Sequence, residues 1–301
     1  MTDQLELGGM PARLFACTPS KLATYADCPR RFRHTYLDRP RPPRGRAWAH
    51  TSLGASVHTA LAAWWSEPPP RRTPVVAAQL LSRRWVAEGY RDDAQAASFL
   101  TLARGWVERL VATLDPHDEP RGVERVVSAR TSTLALSGRV DRIDERDGEL
   151  VVVDYKTGRW VPDHDDVRSA PALALYAVAA ARTLRQPCHR VELHHLPTGT
   201  VAAHEHDDAA LARHVERAEA VAADAVRATA LVAAGADPDA SFPVRPGAAC
   251  AWCDHRDRCP SGRAAAPDRD RWSSLPELPE LPELPELPEL PELARAGSGQ
   301  A

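Results

Sequence analysis

Gly138-Arg-Val-Asp-Arg-Ile-Asp-Glu-Arg-Asp-Gly-Glu-Leu-Val-Val-Val-Asp-Tyr-Lys-Thr157 is the stretch on which the fold turns. Asp147-Gly148 is a two-residue hairpin signal, because both central positions of a type I′ turn need φ > 0. Folding the chain there pairs residues whose numbers sum to 295 and sets Asp141 opposite Asp154. Side chains opposed across a strand pair share one face, with Cβ atoms roughly 4.5–5.5 Å apart. Lys156, two residues beyond Asp154, lies on that face too. Two carboxylates so placed repel unless a cation sits between them, and oxygen ligands suit Mg²⁺ or Mn²⁺. The hairpin predicts a divalent-metal site.

The lysine sharpens that reading. Of 38 basic residues, only Lys21 and Lys156 are lysines. Where any positive charge suffices this sequence uses arginine, so Lys156 points to a need for a compact ammonium with a tunable pKa. For any one of these residues a solvated hairpin side chain is the plainer explanation. Asp141, Asp154 and Lys156 together, beside the apolar run Leu150-Val-Val-Val153, favour a site.

The hairpin, Gly138-Arg-Val-Asp-Arg-Ile-Asp144 followed by Asp154-Tyr-Lys-Thr-Gly158, resembles the core of the PD-(D/E)XK nucleases, specifically their RecB-like branch. Further motifs lie in order along the chain. Ser20-Lys-Leu-Ala-Thr-Tyr-Ala-Asp-Cys-Pro-Arg-Arg-Phe32 resembles the family's N-terminal cysteine segment, and Gly54-Ala-Ser-Val-His-Thr-Ala-Leu61 its histidine motif. Leu173-Ala-Leu-Tyr-Ala177 resembles the helix after the lysine, and Cys250, Cys253 and Cys259 match its C-terminal cysteine cluster. The likeness spans about residues 15 to 262.

The resemblance implies a restriction-endonuclease-like α/β fold and a metal-dependent deoxyribonuclease. Asp141, Asp154, the Tyr155 carbonyl and His58 would hold Mg²⁺ or Mn²⁺, with Lys156 and Tyr176 completing the catalytic set. Alone, His58 reads as a core histidine on the Leu53, Val57, Leu61 stripe, and Tyr176 as an amphipathic helix residue. The family usually places a glutamine four residues before that tyrosine; here the position is Ala172. The cysteine spacing does not separate Zn²⁺ from an iron–sulfur centre, and His255 is a conceivable zinc ligand. The family pattern implies a 4Fe–4S cluster on Cys28, Cys250, Cys253 and Cys259, leaving Cys17 and Cys188 as free thiols. A free-standing repair exonuclease, a CRISPR adaptation nuclease and a non-catalytic DNA-binding scaffold all remain compatible with this pattern. No Gly-x₄-Gly-Lys-Ser/Thr occurs, so any helicase or repair partner would be a separate chain.

Composition agrees. No 18-residue apolar stretch and no basic-then-apolar leader occur, which predicts neither membrane span nor signal peptide and a cytoplasmic protein. In such a chain six cysteines read as metal ligands or free thiols. The net charge of −3 conceals six glutamates at 277–292; the remainder is +3. Residues 29–46 hold seven arginines against one aspartate, and Arg30, Arg31 and Arg33 are the predicted DNA-phosphate contacts. The expected partner is DNA, single-stranded or with free ends, with Trp48, Trp64 and Trp65 as potential stacking faces or core residues.

The chain divides into four segments: a flexible 1–14, a helical region 15–118, a nuclease core with the cysteines at 119–262, and a disordered tail 263–301. Periodicity predicts helices over 20–26, 53–65, 74–90, 94–114, 170–184 and 207–234. Strands are predicted over 123–129, 133–143, 150–155, 190–196 and 200–206, hence a mixed sheet flanked by helices. The six Leu-Pro-Glu units of 275–293 forbid helix and sheet interior and favour an extended polyproline II strip of roughly 60 Å.

Overall fold

The computed structural model describes residues 14–276 except 43, 44 and 46. The Leu-Pro-Glu units beyond Pro276, and the first 13 residues, lie outside the described residues. The architecture is the predicted α/β one, a mixed sheet between helical layers.

A short strand β1 (Phe15–Cys17) leads into α1 (Pro19–Asp27), whose start is fixed by Pro19 and by the Thr18 hydroxyl accepting the Lys21 N–H at 3.1 Å. After α2 (Pro29–Phe32) come α3 (Ala49–Trp65), α4 (Pro74–Arg83) and α5 (Asp93–Val111). Leu53, Val57, Leu61 and Trp64 make the buried stripe of α3. The sheet continues in β2 (Gly122–Arg130), β3 (Leu134–Arg146) and β4 (Glu149–Lys156). Next are α6 (His164–Ser169), α7 (Pro171–Leu184), β5 (Arg190–His195), β6 (Thr200–Glu205) and α8 (Asp208–Ala233). Two short helices, α9 (Pro238–Ser241) and α10 (Pro260–Ala265), complete the set.

The β3–β4 hairpin turns at Asp147 and Gly148, with φ of 52° and 83°. Its pairs run from Arg146–Glu149 to Arg142–Val153, which is the predicted register. Because β4 is central, its apolar run serves both faces. Leu150 and Val152 join the core under α7 and α8, whereas Val151, Val153 and Tyr155 join that of α3, α4 and α5.

The ladder is irregular around β3. β2 pairs antiparallel along β3 from Gly122–Ile143 to Arg130–Ala135, occupying one edge. The other edge is shared: β1 pairs in parallel with residues 134–136 and β4 with residues 142–146. Residues 137–141 lie in the gap between them, and the sheet forks there.

The chain after α10 differs from the expected tail. The Ala49 N–H donates to the Arg271 carbonyl at 3.0 Å, Leu275 is buried, and Trp272 packs against the α3–α5 core. The Arg271 guanidinium also lies 4.2 Å from the centre of the Trp48 ring. Two apolar anchors in a polar, proline-rich context hold residues 266–276 on the body.

Candidate metal centre

Asp141 sits at the lip of the fork, one residue beyond the last β3–β4 pair. Because the ladder opens there, the Tyr155 N–H donates to Asp141 Oδ2 at 2.8 Å. That bond ties the two strands side chain to main chain and aims the carboxylate at the opening. Asp154 and Lys156 leave β4 on one face, with Lys156 Nζ 2.7 Å from Asp154 Oδ2. The contact is an ion pair off the hydrogen-bonding direction, so this buried oxygen still lacks a good donor.

His58 reaches the same place from α3. Its Nδ1 lies 3.2 Å from Asp141 Oδ1 and its Nε2 3.1 Å from the Tyr155 carbonyl oxygen. Burial pushes the imidazole pKa down. The Asp141 hydrogen bond and charge, with Asp154 and Glu124 behind, more than reverse this and leave it raised. A protonated His58 would thus donate to both the Asp141 carboxylate and the Tyr155 carbonyl. Burial also raises the Asp154 carboxyl, and Asp141 adds to that while Lys156 opposes it.

Glu124 was not read from the sequence. Residue numbers in the β2–β3 ladder sum to 265, which places Glu124 opposite Asp141, at the one position between Val123–Arg142 and Arg125–Val140 that does not pair. Its φ is +45°, uncommon for a non-glycine residue and costly by about 1–3 kcal/mol. The side chain turns to the opening: ligand atoms of His58, Glu124 and Asp141 all lie within 4.8 Å of one another. Oε2 of Glu124 also takes an ion pair from Arg139 Nε at 2.9 Å. The signal was available in the sequence, since folding about residues 132–133 gives this pairing.

His58, Glu124 and Asp141 line an open cleft of about 690 Å³ with Gly138, Arg139 and Tyr176. The Tyr176 ring lies directly over Gly138, where an added Cβ would come within 2.4 Å of Tyr Cε1. Its hydroxyl pKa is raised by burial, then by Asp154 and Asp141. Two carboxylates and an imidazole around one point, with a third carboxylate and an amine beside them, form a donor set of the kind a divalent cation takes.

The four cysteines of the second predicted site meet. Cys28, Cys250, Cys253 and Cys259 line one cavity of about 50 Å³, with Arg31 and His255 at its wall. All six cysteines are free thiols, and the Gly262 N–H donates to Cys259 Sγ at 3.3 Å. Nε2 of His255 lies 3.1 Å from the Thr35 hydroxyl.

Other expectations land elsewhere. Arg30 is spent on the Asp239 carboxylate at 2.9 Å and on the Phe242 and Asp239 carbonyls, each at 3.0 Å. Arg33 meets Asp239 at 2.8 Å and Asp38 at 3.3 Å. These guanidiniums brace α2 and the turn that follows it against α9 instead of facing an open groove, and Arg31 lines the cysteine cavity. Trp48, Trp64 and Trp65 are core residues with exposures of 8%, 0% and 6%. Four histidines read as unrelated structural residues adjoin: His204 Nδ1 is 3.0 Å from His164 Nε2, and rings 204–206 and 206–214 lie 4.5 and 5.3 Å apart. No helix among the described residues is long and apolar enough to cross a membrane.

A family model described as the PD-(D/E)XK nuclease superfamily matches residues 16–260. Among curated proteins none matches the chain. Among solved structures, a candidate exonuclease from Eubacterium rectale aligns over 70% of this chain and 79% of its own, at 11% identity and a TM-score of 0.41. That likeness is too distant to add to the assignment.

Proposed function

Since this chain belongs to the PD-(D/E)XK nuclease superfamily, we propose that it is a metal-dependent deoxyribonuclease of the RecB-like branch, trimming single-stranded DNA or DNA ends in repair or recombination. The observation that carries this is the fork in the sheet, where Asp141, Glu124 and His58 converge beside Asp154 and Lys156.

In this reading Asp141, Asp154, Glu124, His58 and the Tyr155 carbonyl would hold Mg²⁺ or Mn²⁺. Bound there, the ion would lower the pKa of water and neutralise charge on the phosphoryl oxygens. The protein's own groups do the rest. Lys156 orients the attacking water and offers fixed positive charge to the developing negative charge. The Tyr155 N–H holds Asp141 in its rotamer, so the carboxylate does not reorganise during reaction. Tyr176, seated on Gly138, closes one wall of the cleft, and Arg139 offers its guanidinium to a phosphate there.

We infer a 4Fe–4S cluster on Cys28, Cys250, Cys253 and Cys259, with structural zinc as the alternative; the support for it is that these four residues line one cavity. The cluster would tie α2 to the segment 250–259 and close a loop of more than two hundred residues.

Incubation of the purified, cluster-loaded protein with linear and circular single-stranded DNA and Mn²⁺ tests the activity. Cleavage of linear DNA that disappears in Asp154→Ala is the expected result. Binding without cleavage in any metal would leave a scaffold. Visible charge-transfer absorption, absent from Cys250→Ser, separates the cluster from zinc.

A further inference from the structure

Trp160 is the one exposed residue among eight tryptophans, with 74% of its surface in water. It lies four residues beyond Lys156, in the loop that carries the chain from β4 to α6. An indole that large buries readily, and leaving it in solvent forgoes that apolar burial. Flexibility does not account for its position, because the loop is clamped at both ends. The Gly158 carbonyl accepts from Nε2 of the buried His195 at 2.8 Å. At the other end, Asp163 and Asp166 form the capping box of α6. The indole is tied to that cap: Trp160 Nε1 donates to Asp166 Oδ2 at 2.9 Å, the oxygen that also accepts the Asp163 N–H at 3.0 Å. Its only polar atom is satisfied, its orientation is set, and its faces stay open.

A rigid open indole on the loop that leaves the strand of Asp154 and Lys156 suits one kind of ligand. Nucleobases stack on such faces whatever their sequence. In a duplex interior both faces of each base are already covered, so only unpaired bases or strand ends can be received. The Asp166 carboxylate on the indole N–H, with Asp163 beside it, disfavours a phosphate there and leaves the uncharged base as the part taken up. Preorganisation by the Asp166 bond lowers the ordering cost of that contact.

We propose that Trp160 is a stacking platform for an unpaired nucleobase of the substrate strand, and that it biases the enzyme toward single-stranded DNA. This rests on the nuclease reading above and adds a substrate-selecting residue to it.

The test uses the full-length, cluster-loaded protein in EDTA, so that binding is read without cleavage, by anisotropy of labelled oligonucleotides. Single strands with one abasic site walked along them, intact single strands and blunt duplexes are compared. Trp160→Ala is expected to weaken intact single-strand binding by roughly tenfold or more and to leave duplex binding unchanged. One abasic position should weaken the wild-type protein and have no effect on Trp160→Ala. Trp160→Phe, which keeps a ring and loses the Asp166 bond, should fall between. Equal single-strand affinity of wild type and Trp160→Ala, or an equal loss on intact and abasic strands, overturns the proposal. If the wild type still cleaves DNA with Mn²⁺ in that case, the nuclease reading stands without it. If the wild type neither binds nor cleaves, both fall.

Discussion

At the scale of single residues, the centre is legible where strand register fixes it and obscure where backbone strain does. Asp141, Asp154 and Lys156 follow from one turn and the alternation of a strand. Glu124 does not stand out by its neighbours, since only its place opposite Asp141 and its φ of +45° mark it. If it is a ligand, Glu124→Gln lowers Mn²⁺ affinity on the order of tenfold in calorimetry on cluster-loaded protein, and Asp141→Asn lowers it further. Unchanged uptake in Glu124→Gln would return that side chain to an ion pair with Arg139. A second residue-scale prediction concerns His206. Burial, then the neighbouring His204 and His214, pushes its pKa from 6.5 down to about 4. The unfolded chain therefore takes up the proton first, and this contribution to stability is lost as pH falls from about 6.5 toward about 4. Thermal midpoints should drop more steeply over that interval for the wild type than for His206→Gln; parallel slopes would place the acid sensitivity elsewhere.

Among the elements, long periodic segments were readable and short or capped ones were not. The core of α1, the C-terminal end of α3, the hairpin and α7 all match the spacing of their apolar residues. The helix predicted over 74–90 stops at Arg83, because the 84–90 segment turns to bring Trp85 and Tyr90 together at a ring distance of 5.6 Å. β1 was missed, since three residues give no periodicity and its partner β3 is more than a hundred residues away. α6 was missed because its signal is a capping box, with one buried apolar residue, Val167. Gly138 shows what the elements require of one another. Tyr176 of α7 occupies the space of its missing Cβ, so Gly138→Ala should cost about 1–3 kcal/mol by overpacking. Denaturant unfolding measures this, and a neutral substitution would mean that α7 can yield at no cost.

For the whole molecule, composition misled in two places. The net charge hid a positive body behind an acidic repeat, and the proline-rich look of residues 266–276 hid a docked segment. Truncation separates these. A chain ending after Pro276 should keep metal-dependent cleavage, so loss of cleavage would give the Leu-Pro-Glu repeats a part in the reaction. A chain ending at residue 265 also removes Trp272 and Leu275 from the α3 core and should be less stable by about 2–5 kcal/mol in thermal melts. The forked edge of β3 carries a consequence that joins the two ends of the chain. One wall of the aperture is β1, held to the sheet over only three residues and followed within eleven by Cys28. If the proposed 4Fe–4S cluster forms on Cys28 and its three partners, a protein starved of iron would keep its acidic residues in register yet lose the brace on that wall. Its grip on a DNA strand should then slacken before its uptake of Mn²⁺ does, which would make iron supply a throttle on the proposed activity.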